Sequence, residues 1–297
     1  MDNIFYHQPV MVNEVADFLI TAEDGFYIDC TFGGGGHSLY LLEKYKKIKI
    51  IAFDQDSDSF NHFNSNEKFA DVKDRIVFVR DNFRNIQKRL SDIKIHKVNG
   101  LFADLGVSSK QLDDMKRGFS FRSDEILDMR MDRSCKLSAY DVINTYSKEK
   151  LQDIFFTYGE ESFSKQIAGK IIDYRIKGSI KTCDQLADII GSVKWSNGKI
   201  NPATKVFQAL RIYVNDELSS LQEMLDSIPK ILSDNSRAVI LTYHSLEDRI
   251  VKQSFKSLQN QGLKIVNKKI IGASEEEIKN NPRSRSAKMR VAEKQNG

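Results

Sequence analysis

Tyr27-Ile28-Asp29-Cys30-Thr31-Phe32-Gly33-Gly34-Gly35-Gly36-His37-Ser38 is a short apolar run that breaks into four glycines and then enters a helical pattern. It reads as strand, tight turn, helix. Glycines at a strand exit let the backbone turn sharply and approach a ligand closely, and the helix start behind them offers free N–H groups. A glycine cluster alone would be only a turn. The next apolar run, Lys49-Ile50-Ile51-Ala52-Phe53, ends at Asp54, about where a nucleotide-binding unit carries the acid that grips ribose hydroxyls. Two consecutive strands therefore aim at one pocket.

Working outward, Val12, Val15, Ala16 and Leu19 form a helical stripe after His7-Gln8-Pro9-Val10. A third strand, Arg75 to Val79, leads into Asp81-Asn82-Phe83, where the polar pair suits an adenine amine and the ring suits its face. A fourth, Val98 to Ala103, ends in Asp104-Leu105-Gly106. Four strands thus deliver polar tips to one rim, as expected of a doubly wound sheet. The stretch from Val107 to Lys136 is loop-like and densely charged, and Phe119 and Phe121 between Arg117 and Arg122 suit a base stacked beside its phosphates.

Three helical stripes follow: Leu151, Ile154, Phe155 and Tyr158; then Phe163, Ile167, Ile171 and Tyr174; then Leu186, Ile189, Ile190 and Val193 behind a Thr182-to-Gln185 capping box. Asn201-Pro202 opens a long helix with Val206, Leu210, Val214, Leu218, Leu221 and Leu225 on its apolar face. The sheet resumes at Ser236 to Tyr243, runs into His244-Ser245, and closes with a strand pair at Leu263–Val266 and Ala287–Ala292. The expected architecture is α/β: a mostly parallel sheet with a closing antiparallel strand, formed by residues 1–136 and 207–297, and an all-α insertion at 137–206.

Composition narrows the function classes. With 45 basic and 41 acidic residues, the balance of +4 neither demands nor excludes a nucleic-acid partner. Three scattered cysteines make neither a disulfide framework nor a metal site, and the five histidines share no ligand spacing, so no metal is expected. The amino terminus has no secretory pattern and no apolar run approaches membrane length, which points to a cytoplasmic protein. Ser38 stands where a dinucleotide fold needs its third glycine, and no Gly-Lys-Ser/Thr follows the turn. S-adenosylmethionine, which carries no phosphate, suits the pattern better.

Six motifs then occur in one order: Asp29 to Ser38; Asp104-Leu105-Gly106-Val107-Ser108-Ser109; Arg117-Gly118-Phe119-Ser120-Phe121-Arg122; Asn201 to Arg211; His244-Ser245-Leu246-Glu247-Asp248-Arg249; and Arg283 to Arg290. Together they resemble the bacterial small-subunit ribosomal RNA methyltransferase H family, also called MraW, over nearly the whole chain. Lys205 stands where arginine is common in that family, and Cys30 and Gly34 occupy variable loop positions.

The resemblance implies a class I methyltransferase fold, S-adenosylmethionine as cofactor, and N4-methylation of a cytosine in the decoding centre of 16S rRNA. It puts cofactor contacts on Gly35, Gly36, His37, Asp54, Phe83, Asp104 and Gln111, the last on resemblance alone. It also suggests that the insertion recognises substrate. The catalytic candidates are Asp104 and His244, at strand ends facing one rim. Rival readings are an NAD-dependent oxidoreductase and a non-catalytic RNA-binding protein. Whether the substrate is free RNA or the small ribosomal subunit stays open, as does a homodimer.

Overall fold

The computed structural model describes residues 9–121, 123–194 and 201–296. His7, Arg122 and the extreme amino terminus, which entered the reading above, lie outside them. Contacts divide the chain into two compact units, Met1–Gly106 with Leu218–Gly297, and Val107–Glu217.

Among its described residues the first unit is built on eight strands: β1 (Asp24–Asp29), β2 (Lys47–Phe53), β3 (Ile76–Val79), β4 (Val98–Asp104), β5 (Leu232–Thr242), β6 (Leu263–Ile265), β7 (Ile271–Gly272) and β8 (Lys288–Lys294). Their order is β3-β2-β1-β4-β5-β8-β6, with β7 also on β8. The pairs among β1 to β5 are parallel, and those with β8 are antiparallel.

Both faces of the sheet are covered. Ile28, Ile51, Leu101 and Ile240 belong to one core cluster, and their neighbours Tyr27, Ile50, Phe102 and Val239 to another. Strands buried on both faces read as near-continuous apolar runs, as these do. Helices α1 (Val12–Leu19), α2 (Gly36–Lys44) and α3 (Ser57–Ser65) feed Val15, Leu41 and Phe63 into the Tyr27 cluster. The opposite cluster takes Leu90 from α4 (Ile86–Asp92), and also Val251 and Phe255 from the helix after β5.

The second unit contains α5 (Ser109–Asp113), α6 (Ala139–Thr145), α7 (Lys148–Gly159), α8 (Ser164–Arg175), α9 (Cys183–Gly191) and α10 (Thr204–Val214). Among its described residues the one β contact is an isolated bridge, Ile126 to Thr182. Leu151, Ile154, Phe155, Ile167, Ile171, Leu186 and Leu210 share one core, and the Thr182–Gln185 capping box forms. Phe163 and Tyr174, expected on the second stripe, are 40% and 41% exposed.

Three expectations change. The compact unit reaches well outside 137–206, because Phe119, Leu127, Met129 and Met131 from the charged stretch enter the helical core. That stretch is also no open platform: Arg117 is 2% exposed and donates to the carbonyls of Arg130 and Met131, and Phe121 meets Phe207 edge to face. Guanidinium donors satisfy carbonyls that irregular backbone leaves unpaired. Finally, the single long helix is two, α10 and α11 (Glu217–Ile231), broken where Asp216 adopts a left-handed φ of 48°. Asn215 fixes the break by donating to the Met129 and Arg211 carbonyls and accepting the Met131 N–H.

Candidate active site

Parallel register gathers the strand ends. Asp29 lies opposite both Ala52 and Phe102, Phe53 opposite Val79, and Asp104 opposite Leu241. All these carboxyl ends share one rim, and the connections reverse direction between β1 and β4, where open α/β sheets place their ligand crevice.

The glycine turn is pinned to that rim. Phe32 N–H donates to the Phe53 carbonyl (2.9 Å) and Gly35 N–H to Phe32 O (2.6 Å). Gly33 and Gly35 have φ of 53° and 74°, so the turn uses the left-handed region twice before α2 begins. Asp54 Oδ2 accepts Gly33 N–H at 2.7 Å and Oδ1 accepts Asp56 N–H at 2.8 Å. The acid expected to grip ribose therefore also fixes the loop. Asp29 accepts Thr31 N–H and the Ser38 hydroxyl (3.0 and 2.6 Å), and Thr31 Oγ1 accepts Asp104 N–H at 2.8 Å, lacing β1 to β4.

His37, in the first turn of α2, is 7% exposed, and its Nε2 bonds the Val10 carbonyl at 2.9 Å. A carbonyl only accepts, so Nε2 of His37 carries a proton. Its Nδ1 lies 3.9 Å from Asp104 Oδ2. The other oxygen, Oδ1, accepts the Tyr243 hydroxyl at 2.5 Å. Tyr243 follows β5 and donates its backbone N–H to Glu247 Oε2 at 2.9 Å. His244 caps α12 (Ser245–Ser257): Nδ1 accepts Glu247 N–H, and Nε2 lies 3.1 Å from Glu247 Oε1.

Gly35, Gly36, His37, Asp54 and Asp104 are thus joined through one network of loop, strand and helix start. Phe83 is linked to it through Asn82, whose amide donates to Gln55, next to Asp54. Its ring packs against the core. Asp81 is committed elsewhere, to Asn85, Arg89 and Asn82 N–H, so the third tip is a capped turn. Gln111 belongs to the helical unit, where its carbonyl accepts Ser108 N–H in the capping box of α5. Sequence reasoning missed Tyr243, Glu247 and Thr31, whose partners lie far along the chain except within the α12 cap. Among the described residues no group of three or more His, Cys, Asp or Glu side chains could hold a metal ion, and no helix is long and apolar enough to cross a membrane.

Burial dominates the electrostatics. It pushes Asp29 up to about 6 against the Ser38 hydrogen bond, and Asp54 up to about 6 against the Asp56 and Gly33 N–H bonds. Asp104 is raised as well, by burial, with His37 and Tyr243 opposing. Raised carboxyl groups bind protons more tightly folded than unfolded, so their contribution to stability is full below about pH 4 and disappears as pH rises through 6. Asp29→Asn keeps an acceptor for Thr31 and a partner for Ser38 while removing a buried charge. Thermal unfolding should therefore find this variant more stable than wild type at pH 8, by roughly 1–3 kcal/mol, with the gap closing toward pH 4. A gap independent of pH would contradict it.

Comparison with known proteins fits this geometry. The chain is 53% identical over 290 residues to the ribosomal RNA small subunit methyltransferase H of Endomicrobium trichonymphae, covering 97% of this chain and 99% of that one. It is 43% identical over 310 residues to the protein of the same name from Clostridioides difficile strain 630, covering 98% and 99%. The profile described as the MraW methylase family matches residues 4–295. With a nearly full-length match and relatives of this identity, the chain belongs to the MraW methylase family.

Proposed function

We propose that the protein is an S-adenosylmethionine-dependent methyltransferase that modifies the exocyclic N4 of a cytosine in the decoding centre of 16S rRNA. The observation that carries the cofactor reading is the chemistry of the rim. Asp29, Asp54 and Asp104 surround a glycine turn, with His37 Nδ1 3.9 Å from Asp104 Oδ2. Such a rim repels a pyrophosphate and suits a cationic, phosphate-free nucleoside. Asp54 would hold the ribose hydroxyls, His37 and Asp104 the ammonium group, and Phe83 one face of adenine, with Gly35 and Gly36 admitting the methionine part. Gln111 enters this set from the family resemblance.

Bound S-adenosylmethionine supplies an electrophilic methyl group on a sulfonium sulfur. The chain's own task is orientation. A cytosine amine is a weak nucleophile because its lone pair is delocalised into the ring, so catalysis rests on alignment and on an acceptor for the departing N–H proton. Asp104 and His244 are the candidates for that acceptor. The helical unit, Val107–Glu217, is proposed to recognise the RNA, within the small subunit.

The deciding experiment supplies methyl-labelled S-adenosylmethionine and unmethylated small subunits, digests the RNA to nucleosides and locates the label. Label in N4-methylcytidine is the expected result. Label on carbon or on a ribose oxygen would refute the amine assignment.

A further inference from the structure

Asp104 touches more than its own strand. Its Oδ1 is taken by the Tyr243 hydroxyl at 2.5 Å, from a residue 139 positions away, and Tyr243 is itself tethered by its backbone N–H to the buried carboxylate of Glu247. Asp104 keeps 24% of its side chain accessible, and Oδ2 is the oxygen on the His37 side. His37 Nδ1 stands 3.9 Å from Oδ2, beyond hydrogen-bond distance, and its Nε2 bonds the Val10 carbonyl. The phenol is then the donor that fixes the carboxylate.

We infer that Tyr243 is a positioning residue: held through Glu247, it locks Oδ1 of Asp104 and leaves Oδ2, beside His37 Nδ1, as the oxygen offered to a ligand cation. This deepens the reading of Asp104 as a cofactor contact and rests on it for the ligand. The charged groups facing the pair are His37 on α2, Glu247 on α12 and, toward Tyr243, Glu277 on α13 (Glu275–Asn280). Burial and Glu247 favour the protonated carboxyl, whereas His37 and the phenolic hydrogen bond favour the carboxylate. A tyrosine hydroxyl is well suited to this work because burial and Asp104 push its own ionisation far up, so it stays a donor.

The test is Tyr243→Phe, which keeps the ring and removes the hydroxyl. Carbon-13 titration of the Asp104 carboxyl in the ligand-free protein should show the midpoint rising by about one pH unit. Calorimetric binding of S-adenosylhomocysteine should lose affinity at a correspondingly higher pH, giving up to about tenfold weaker binding below the midpoint and curves that converge toward pH 8. In an Asp104→Asn background the same substitution should change neither the pH dependence nor the affinity further. An unshifted Asp104 midpoint, with only the melting temperature lowered, would make Tyr243 a packing residue and overturn the inference. Failure of wild type to bind S-adenosylhomocysteine at any pH, with the carboxyl midpoint shifted as expected, would instead sink the cofactor reading.

Discussion

Gly35→Ala should abolish S-adenosylhomocysteine binding and destabilise the sheet unit by roughly 2–5 kcal/mol, the sum of a left-handed backbone on a non-glycine residue and an overpacked core. Gly35 has φ of 74°, and a Cβ there would stand 2.4 Å from Phe32 Cζ and 2.5 Å from Phe69 Cζ. Neither ring has room to retreat. Phe32 and Phe69 are 3% and 1% exposed, and Phe32 sits against Phe63, Phe69 and Phe78 with centroids 5.1–5.7 Å apart. Gly36→Ala is the control, because its Cβ meets Pro9 at 3.4 Å, an ordinary contact, at the start of a helix. Thermal unfolding should leave Gly36→Ala close to wild type while calorimetry finds its ligand affinity reduced, separating backbone approach from fold. Equal unfolding of both variants would show that the aromatic cluster is not what selects glycine at 35.

The second large effect is at Asp104. Asp104→Ala should weaken S-adenosylhomocysteine binding by two orders of magnitude or more, since removing one partner of a desolvated charge pair costs roughly 2–5 kcal/mol. His244→Ala should behave differently. Its imidazole caps α12 through Glu247, and the proposal gives it a part in turnover, so cofactor binding should survive with stability lower by about 1 kcal/mol. Single-turnover methylation alongside calorimetry separates the two roles. A fully active His244→Ala enzyme reduces that histidine to a cap, and unchanged binding by Asp104→Ala removes it from the cofactor site.

The charge at Asp29 shows why such a site is not built for stability alone. A buried carboxyl pushed up to about 6 works against the fold at neutral pH, yet it belongs to the network that holds the glycine turn. Strain and unfavourable charge tend to be kept at functional sites.

Much of this was legible in the chain. Acid-tipped apolar runs, the glycine break and the capping boxes are local signals, because hydrophobic period, turn chemistry and cap geometry each depend on residues a few positions apart. They sufficed to mark Asp29, Asp54 and Asp104 as strand tips and to assign the stripes of α7 and α9. The charged stretch misled for a physical reason. Arg117 and Phe119 carry the composition of a nucleic-acid contact, but whether a guanidinium faces solvent or a carbonyl thirteen residues on is settled by folding around it. The helix break likewise depends on Asn215 finding Met129 and Met131 in another segment.

The sequence by itself determined which residues end the strands and which faces are apolar. Only the tertiary structure decided which tips meet. Laying β4 beside β5 brings Tyr243 to Asp104 across 139 positions, and no local pattern encodes that contact because it arises from strand order and register.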